Sequence, residues 1–175
     1  TGIENFTALK YLFCQNNPIG SLNLTQNNLL VELDLFLNQI TYLDLTQNIL
    51  LKNIYFEGNP LVGLDLSNNV NLIGLWGNGS DISCLNIKNG NNLYINNFYL
   101  SFTPNLTCIQ VDDPIWATNN LTNITQGTFA LDCNYPSGSP CNISTTDVLD
   151  EYLKFNIFPN PTKENITISI SNYNG

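Results

Sequence analysis

The chain of 175 residues contains no histidine and no arginine, and only 11% of its residues are charged. Its five basic residues are all lysines, against 14 acidic residues, so its net charge is −9. A nucleic-acid partner requires a basic surface that neutralises phosphates, and an anionic membrane surface attracts the same kind of patch. The composition therefore argues against both kinds of partner.

Long apolar runs and metal-binding motifs are also missing. No stretch approaches the length of a membrane-spanning helix. Zinc sites usually combine closely spaced cysteine pairs with each other or with histidine, and the cysteines form no such pair. No nucleophile, base and orienting residue are grouped in the sequence. We therefore expect no metal, no cofactor and no enzymatic activity. The five cysteines are Cys14, Cys84, Cys108, Cys133 and Cys141.

What the sequence does contain is a repeat with a period of 21 residues. Apolar residues at positions i and i+2, with a polar residue between them, describe a short strand whose apolar side faces a core. A fixed period of this length is typical of a solenoid. One series runs without insertion or deletion through Leu22-Asn23-Leu24, Leu43-Asp44-Leu45, Leu64-Asp65-Leu66, Leu85-Asn86-Ile87 and Leu106-Thr107-Cys108. A second series comprises Leu12-Phe13-Cys14, Leu33-Asp34-Leu35, Ile54-Tyr55-Phe56, Leu75-Trp76-Gly77 and a degenerate copy at Asn96-Asn97-Phe98.

Each coil of the repeat thus carries two strands, and stacked coils predict two parallel sheets around a leucine-filled interior. The aspartates between the leucines are expected to point outward. We predict that one sheet contains Leu12, Leu33, Ile54 and Leu75. We predict that the other contains Leu22, Leu43, Leu64 and Leu85, and that all eight residues are buried.

Polar residues recur where each coil leaves its strand and turns. A side-chain amide at such a position can satisfy backbone groups that are hidden from water. We therefore interpret these residues as structural ladders. One ladder comprises Asn17, Asn38 and Asn59, continued by Ser80 and Ser101, and the other comprises Asn27, Asn48 and Asn69.

The segments from Leu30 to Ile40 and from Leu51 to Leu61 match LxxLxLxxNxL, the conserved segment of leucine-rich repeats. The chain resembles this family over residues 3 to about 108. Its 21-residue period, with LDLSNN from Leu64 to Asn69, resembles the repeats of secreted Bacteroidetes proteins. The resemblance implies a β-rich solenoid with two parallel sheets of short strands, little helix and a disulfide-closed C-terminal cap. It also implies that the conserved segment forms the concave sheet.

The resulting organisation has four parts. Residues 1–105 form the repeat solenoid, 106–133 the cap, 134–154 a linker and 155–175 a further short segment. The chain begins with Thr rather than Met, and Ile3 is in register with Leu24. We therefore expect the solenoid to begin upstream.

The cysteines bear on the compartment. The stretch after Cys108 resembles the cap of the same secreted repeat proteins, whose two ends are bridged. This resemblance implies a disulfide between Cys108 and Cys133 and an oxidising compartment. Cys14 occupies an inward position and is expected to be a buried thiol, whereas Cys84 and Cys141 are left without an assignment.

The last 21 residues contain FNIFPNPT, from Phe155 to Thr162, followed by isoleucines that alternate with polar residues. This stretch resembles the opening of the C-terminal sorting domain of type IX secretion substrates. The family domain is several times longer, so the copy is truncated. The resemblance implies recognition by the type IX secretion machinery and a secreted or outer-surface location.

For activity, the leading interpretation is a non-catalytic module for binding or adhesion that recognises a protein or a glycan. The main enzymatic interpretation uses Asp44 and Asp65, which lie on successive coils about 4.8 Å apart. A retaining glycosidase separates its carboxyl groups by about 5 to 5.5 Å. Three further interpretations are calcium between the same two aspartates, ice binding by the column Thr25, Thr46 and Ser67, and an accessory domain of a larger secreted enzyme.

The candidate ligand-binding residues are outward aromatics and acids of the conserved-segment sheet. A contiguous exposed patch of large aromatics usually marks a binding surface. Trp76 lies beside Gly74 and Gly77, whose missing side chains are expected to leave its ring accessible. In the competing interpretation, the aromatics only cover one another. The candidate set is Phe13, Glu32, Asp34, Phe36, Tyr55, Glu57 and Trp76.

Overall fold

The structure is a computed structural model that describes residues 2–136 and 138–141 and the backbone of residues 165–167. The predicted linker beyond residue 141 and the FNIFPNPT segment lie outside the described residues. Two single turns of 3-10 helix occur at Ile3–Asn5 and Asn92–Tyr94, and one α-helix, α1, spans Pro114–Asn120. The strands are β1 (Tyr11–Phe13), β2 (Glu32–Asp34), β3 (Asn53–Tyr55), β4 (Gly63–Asp65), β5 (Gly74–Trp76), β6 (Cys84–Asn86), β7 (Asn97–Tyr99), β8 (Cys108–Gln110), β9 (Thr128–Ala130) and β10 (Asn165–Thr167).

The strands form two sheets, as the repeat predicts. Sheet A has the order β10-β1-β2-β3-β5-β7, and sheet B has the order β4-β6-β8-β9. Every strand pair among the described residues is parallel. In sheet A, Leu12 is paired with Leu33, Leu33 with Ile54 and Ile54 with Leu75, an advance of 21 residues at each step. The predicted fold class, a solenoid of leucine-rich-repeat coils, is therefore confirmed.

The core is a continuous column between the two sheets. The central residue of each sheet A strand points inward, so Leu12, Leu33, Ile54 and Leu75 have no exposed surface. Of the four predicted partners in sheet B, three are buried, whereas Leu22 is only partly buried against the core. The solenoid thus buries apolar area coil by coil, and each coil contacts mainly its neighbours.

The prediction that Leu22 and Leu43 lie in strands of sheet B is wrong, because sheet B begins only at Gly63. The cause is a wider separation between the early coils on this side. The N–H of Val62 lies 3.3 Å from the carbonyl of Thr41, whereas one coil later the N–H of Ser83 lies 2.7 Å from the carbonyl of Val62. Regular pairing starts where the coils come together.

The prediction of an uninterrupted period is also wrong after Leu85. Leu75 pairs with Phe98, 23 residues later, and Leu85 pairs with Ile109, 24 residues later. The coil is lengthened where the 3-10 turn Asn92–Tyr94 replaces a tighter turn. Consequently Leu106 is buried ahead of its strand, and Ile109 takes the inward position that the period assigns to Leu106.

The asparagine ladders have the predicted role. Asn38 donates from Nδ2 to the carbonyls of Cys14 (2.9 Å) and Leu35 (2.9 Å) and accepts the N–H of Ile19 (3.2 Å). Asn59 repeats this arrangement one coil later. These side chains therefore satisfy buried backbone groups on two coils at once.

The second ladder is bonded differently. Asn48 and Asn69 each donate to two carbonyls of the preceding coil, but their Oδ1 atoms are buried and accept no hydrogen bond within the described residues. In the first ladder, the lengthened coil places Thr103, and not the predicted Ser101, at the buried position that follows Ser80.

Two disulfides close the C-terminal half of the molecule. The predicted Cys108–Cys133 bond is confirmed, and the unassigned cysteines form a second bond, Cys84–Cys141. The second bond packs directly over Gly63, where a side chain would collide with Pro140 and the Cys141 sulfur. Cys14 is a buried free thiol, as predicted. Burial, together with the charge of Asp34, raises its pKa to about 12.

Helix α1 lies in the cap between β8 and β9. Asp113 caps its first turn by accepting the N–H groups of Ile115 (2.9 Å) and Trp116 (3.1 Å), and Pro114 occupies the first position, where no donor is needed. Within the described part of the chain, no helix has the length and apolarity that crossing a membrane requires.

Candidate binding surface on the outer face of sheet A

The outer face of sheet A is built from the residues that flank each buried central residue. Because successive side chains of a strand point to opposite sides, both flanking residues of a three-residue strand face solvent. The parallel register then stacks equivalent residues in two columns along the solenoid. One column contains Tyr11, Glu32, Asn53, Gly74 and Asn97, and the other contains Phe13, Asp34, Tyr55, Trp76 and Tyr99.

Three aromatic rings stack in the second column. The ring centroids of Tyr55 and Trp76 are 4.2 Å apart, with ring planes 12° from parallel. Trp76 and Tyr99 follow at 6.0 Å and 16°. The ring faces inside this stack therefore cover one another, and the stack presents mainly ring edges to a partner. Tyr99, at its end, is 38% exposed.

Two glycines near Trp76 have different roles. The six-membered ring of Trp76 lies over Gly74, so any side chain at Gly74 would collide with it. Gly77 faces the interior, where a side chain would collide with the ring of Phe56 and approach Leu100 to 2.8 Å. The expectation that both glycines expose the Trp76 ring is therefore wrong: Gly74 seats the ring, and Gly77 makes room for the core.

Acidic side chains surround Tyr55. Partial burial raises the pKa of Tyr55, and the charge of Glu32, a hydrogen bond with Glu32, and the charges of Asp34 and Glu57 raise it further. Burial also raises the pKa of the Glu57 carboxyl, with Asp34 adding to the shift and a backbone hydrogen bond opposing it. Tyr55 thus lies in a region of concentrated negative potential.

The predicted site residues do not all come together. Tyr55, Trp76, Glu32, Asp34 and Glu57 form one contiguous region, which we call the aromatic–acidic region. Phe13 is separated from Tyr55 by Asp34 in the same column and lies near Tyr11, with ring centroids 6.5 Å apart.

Two candidate residues lie at the end of β2. Phe36 lies in the turn beyond this strand and is 38% exposed. Asp34 also has a local task, because its Oδ1 accepts the N–H of Phe36 at 3.0 Å. Part of the bonding capacity of Asp34 is therefore used within the chain.

Sheet B and the extended segments that precede it present a different outer face. On four coils, the outward Asn or Asp accepts the backbone N–H of the residue two positions later, which closes a local turn. Thr25 and Thr46 also donate their hydroxyls to the same oxygen, at 2.7 Å in each case. The backbone pairs are Asn23–Thr25 (3.1 Å), Asp44–Thr46 (2.9 Å), Asp65–Ser67 (2.9 Å) and Asn86–Lys88 (3.1 Å).

This bonding bears on the catalytic, calcium-binding and ice-binding interpretations of this face. Asp44 and Asp65 each direct one carboxylate oxygen at their own turn. The hydroxyl of Thr46, a member of the suggested ice-binding column, is turned toward Asp44. Among the described residues, no three or more His, Cys, Asp or Glu side chains lie close enough together to hold a metal ion.

Tyr99 is the member of the stack that the sequence frame misplaces. With a fixed period, Asn96 is the counterpart of Leu75, and Tyr99 falls outside the repeat. The signal that could have located it is the pattern Asn97-Phe98-Tyr99, which repeats Asn53-Ile54-Tyr55 with a shift of two residues.

Comparisons with known proteins add little beyond the fold. One solved structure that resembles the chain is the functional domain of InlJ from Listeria monocytogenes, which includes a cysteine ladder. The two share 20% sequence identity with a TM-score of 0.40, and the aligned region covers 74% of this chain and 36% of that one. No protein-family model matches the chain, and no curated protein matches it. The class of protein, a disulfide-closed β-solenoid of leucine-rich-repeat coils, is therefore defined by the chain's own sheets and register.

Proposed function

We propose that this chain is a non-catalytic extracellular binding module that recognises a protein partner through the aromatic–acidic region. The observation that carries the proposal is the stack of Tyr55, Trp76 and Tyr99 on the solvent side of sheet A, bordered by three acids. Large aromatics on that side do not contribute to the core, and such patches usually mark interaction surfaces. Phe13 and Phe36 extend the surface at its edge.

A cationic peptide segment suits this surface better than a glycan does. Sugars typically bind to an open aromatic ring face, whereas the faces of Trp76 are covered by Tyr55 and Tyr99. Lysine or arginine side chains of a partner would instead bind Glu32, Asp34 and Glu57, and their apolar stems would pack against the ring edges. The net charge of −9 favours the approach of such a partner.

The absence of catalysis is part of the proposal. The outward aspartates of sheet B cap their own turns, and the acids of sheet A lie on an open surface. Neither arrangement provides a water-excluding pocket with a nucleophile, a base and an orienting group.

Two disulfides are typical of an oxidising compartment. We further propose export by the type IX secretion route of Bacteroidetes, supported by the FNIFPNPT motif between Phe155 and Thr162. Deleting residues 155–175 from the full-length protein in its host is expected to retain the protein in the periplasm. Unchanged amounts in the medium and on the surface would contradict the proposed route.

Binding can be tested with two probes, a hexa-lysine peptide and the neutral oligosaccharide cellohexaose, in calorimetric titrations at physiological salt. The informative variant is Glu32→Gln/Glu57→Gln. Its matched control is Asp44→Asn/Asp65→Asn, which removes the same charge from the other face and keeps the capping oxygens. Two partly exposed ion pairs contribute roughly 0.5–1 kcal/mol each, so the first variant should weaken hexa-lysine binding about tenfold.

Equal weakening by the two variants would indicate a non-specific charge effect and would contradict the proposal. Binding of cellohexaose that is lost in Tyr55→Ala/Trp76→Ala would favour a glycan partner instead. A matched aromatic control is Tyr94→Ala, because Tyr94 is 68% exposed and lies outside sheet A.

A further inference from the structure

The outer edge of β1 lies at one end of sheet A, on the side away from β2. The N–H groups of Cys14 and Asn16 point toward the β2 side, where they donate to Asp34 (2.9 Å) and Phe36 (2.7 Å). Because N–H directions alternate along a strand, those of Tyr11 and Phe13 point to the opposite edge. An unpaired edge of this kind is a template for another strand.

That edge is paired with β10, from the chain's own C-terminal region. The pairing is parallel, and its register joins Tyr11 to Asn165, Leu12 to Ile166 and Phe13 to Thr167. Ile166 therefore takes the register position that Leu12, Leu33, Ile54, Leu75 and Phe98 hold along sheet A. The tail strand extends the sheet with the same direction and register as one more repeat.

The sequence of β10 fits this position. Every other strand of sheet A has an apolar residue at its centre, and Asn165-Ile166-Thr167 keeps that pattern. Residues 141 and 165 differ by 24 positions, and an extended chain covers about 3.3 Å per residue. Because coils stack only about 4.8 Å apart, the connecting chain is long enough to reach β1 within the same molecule.

We propose that the outer edge of β1 is a strand-acceptor site, and that its ligand is the Asn165–Thr167 segment of the same chain. Main-chain hydrogen bonds supply the affinity, and the apolar central residue specifies the register, as in other cases of β-strand addition. The covalent connection raises the effective concentration of the tail at its own edge above that of any second molecule. The site does not depend on the aromatic–acidic region.

The first test uses hydrogen exchange of the full chain. Ile166→Pro removes a backbone donor from β10 and should raise the exchange rate of the Tyr11 and Phe13 amides about tenfold, while Cys14 stays protected by β2. Ile166→Ala keeps the donor and is the matched control, for which much less change is expected. Unchanged protection of Tyr11 and Phe13 in the proline variant would overturn the proposal.

A peptide restores the missing strand in the second test. KENITIS, which corresponds to residues 163–169, is added to the Ile166→Pro protein. Protection of Phe13 should return, whereas the same peptide with proline in place of its first isoleucine should have no effect. Failure of KENITIS to restore protection up to its solubility limit would overturn the acceptor site.

Cross-linking distinguishes pairing within one molecule from pairing between two. Tyr11→Cys/Asn165→Cys treated with dibromobimane should give a fluorescent monomer, and the off-register pair Phe13→Cys/Asn165→Cys should react much less. The native Cys14 thiol is buried and is expected to remain unreactive. Cross-linked dimers without cross-linked monomer would show that the strand comes from a second copy, which contradicts pairing within the chain.

Discussion

The two faces of the solenoid carry polar side chains for different reasons. Along sheet B and the segments that precede it, outward Asn and Asp residues bond to the turn that follows them. Along sheet A, Glu32 bonds to the side chain of Tyr55, and Trp76 packs on the rings of its neighbours. The same repeat thus uses one outer face to close its turns and keeps the other for contact with a partner.

The difference between the faces shows how to interpret an aspartate between two leucines. Where Thr or Ser follows two positions later, as after Asp44 and Asp65, the carboxylate is a turn cap. Asp34 shows that a cap can also occur on sheet A, because it accepts the N–H of Phe36. Outward direction alone therefore does not identify a binding residue, and the side chain's bonds to its own turn must be counted first.

The largest effect is expected from the disulfide that packs on sheet B. Cys84→Ser/Cys141→Ser should lower the free energy of unfolding by about 2–4 kcal/mol, because a long chain segment loses its constraint in the unfolded state. Cys108→Ser/Cys133→Ser should cost less, because 25 rather than 57 residues separate its cysteines. Denaturant titrations of both variants measure the difference. A larger loss for the shorter segment would contradict this explanation.

The two asparagine ladders should differ next. Asn59→Ala leaves the carbonyls of Leu35 and Phe56 and the N–H of Ile40 without their partner, which should cost about 1–3 kcal/mol. Asn38→Ala should cost a similar amount. Asn48→Ala removes two donors only, because its Oδ1 accepts nothing from the described residues, and should cost less. Equal losses, measured by urea unfolding, would show that the Oδ1 bonds contribute little.

The aromatic stack should have a smaller effect on stability. A double-mutant cycle with Tyr55→Ala and Trp76→Ala should give a coupling of about 0.5–1.5 kcal/mol, typical of a stacked pair. The corresponding cycle with Tyr55→Ala and Tyr94→Ala should give none, since these residues lie on different parts of the coil. A coupling near zero for the stacked pair would leave the rings without a structural role.

The smallest effect concerns pH. Because the folded-state pKa of Glu57 is raised above its ordinary value of 4.5, the folded protein binds the proton more tightly than the unfolded chain. This contribution to stability is fully present below pH 4.5 and is lost as pH rises through the raised value. Glu57→Gln should therefore flatten the fall in melting temperature above pH 4.5. A variant whose melting temperature falls as steeply as that of the native protein would contradict the assignment.

Much of the fold follows from the 21-residue period, because a strand's inward and outward positions alternate and a fixed period places them in register. Leu33, Ile54 and Leu75 are therefore predictable, as are the ladders of Asn38 and Asn48. The lengthened coil around Asn92 is not, because a shift of two residues preserves alternation and leaves the pattern almost intact. The Cys84–Cys141 bond joins residues far apart in sequence, which periodicity does not relate.

The candidate site is predictable only in part. The outward positions of Tyr55, Trp76 and Glu57 follow from the strand pattern. The stacking of the rings depends on Gly74, over which the Trp76 ring lies, and no sequence pattern gives that rotamer. The separation of Phe13 from the stack likewise depends on Asp34, which the register places between them.

The most direct test of the division between the two faces is a paired titration with hexa-lysine. We expect Glu32→Gln/Glu57→Gln to weaken binding about tenfold and Asp44→Asn/Asp65→Asn to change it less than about twofold, since only the first pair removes partly exposed ion pairs with the ligand. Both variants should retain cooperative unfolding. If the sheet B variant weakens binding as much as the sheet A variant, the division between a turn-closing face and a binding face is contradicted.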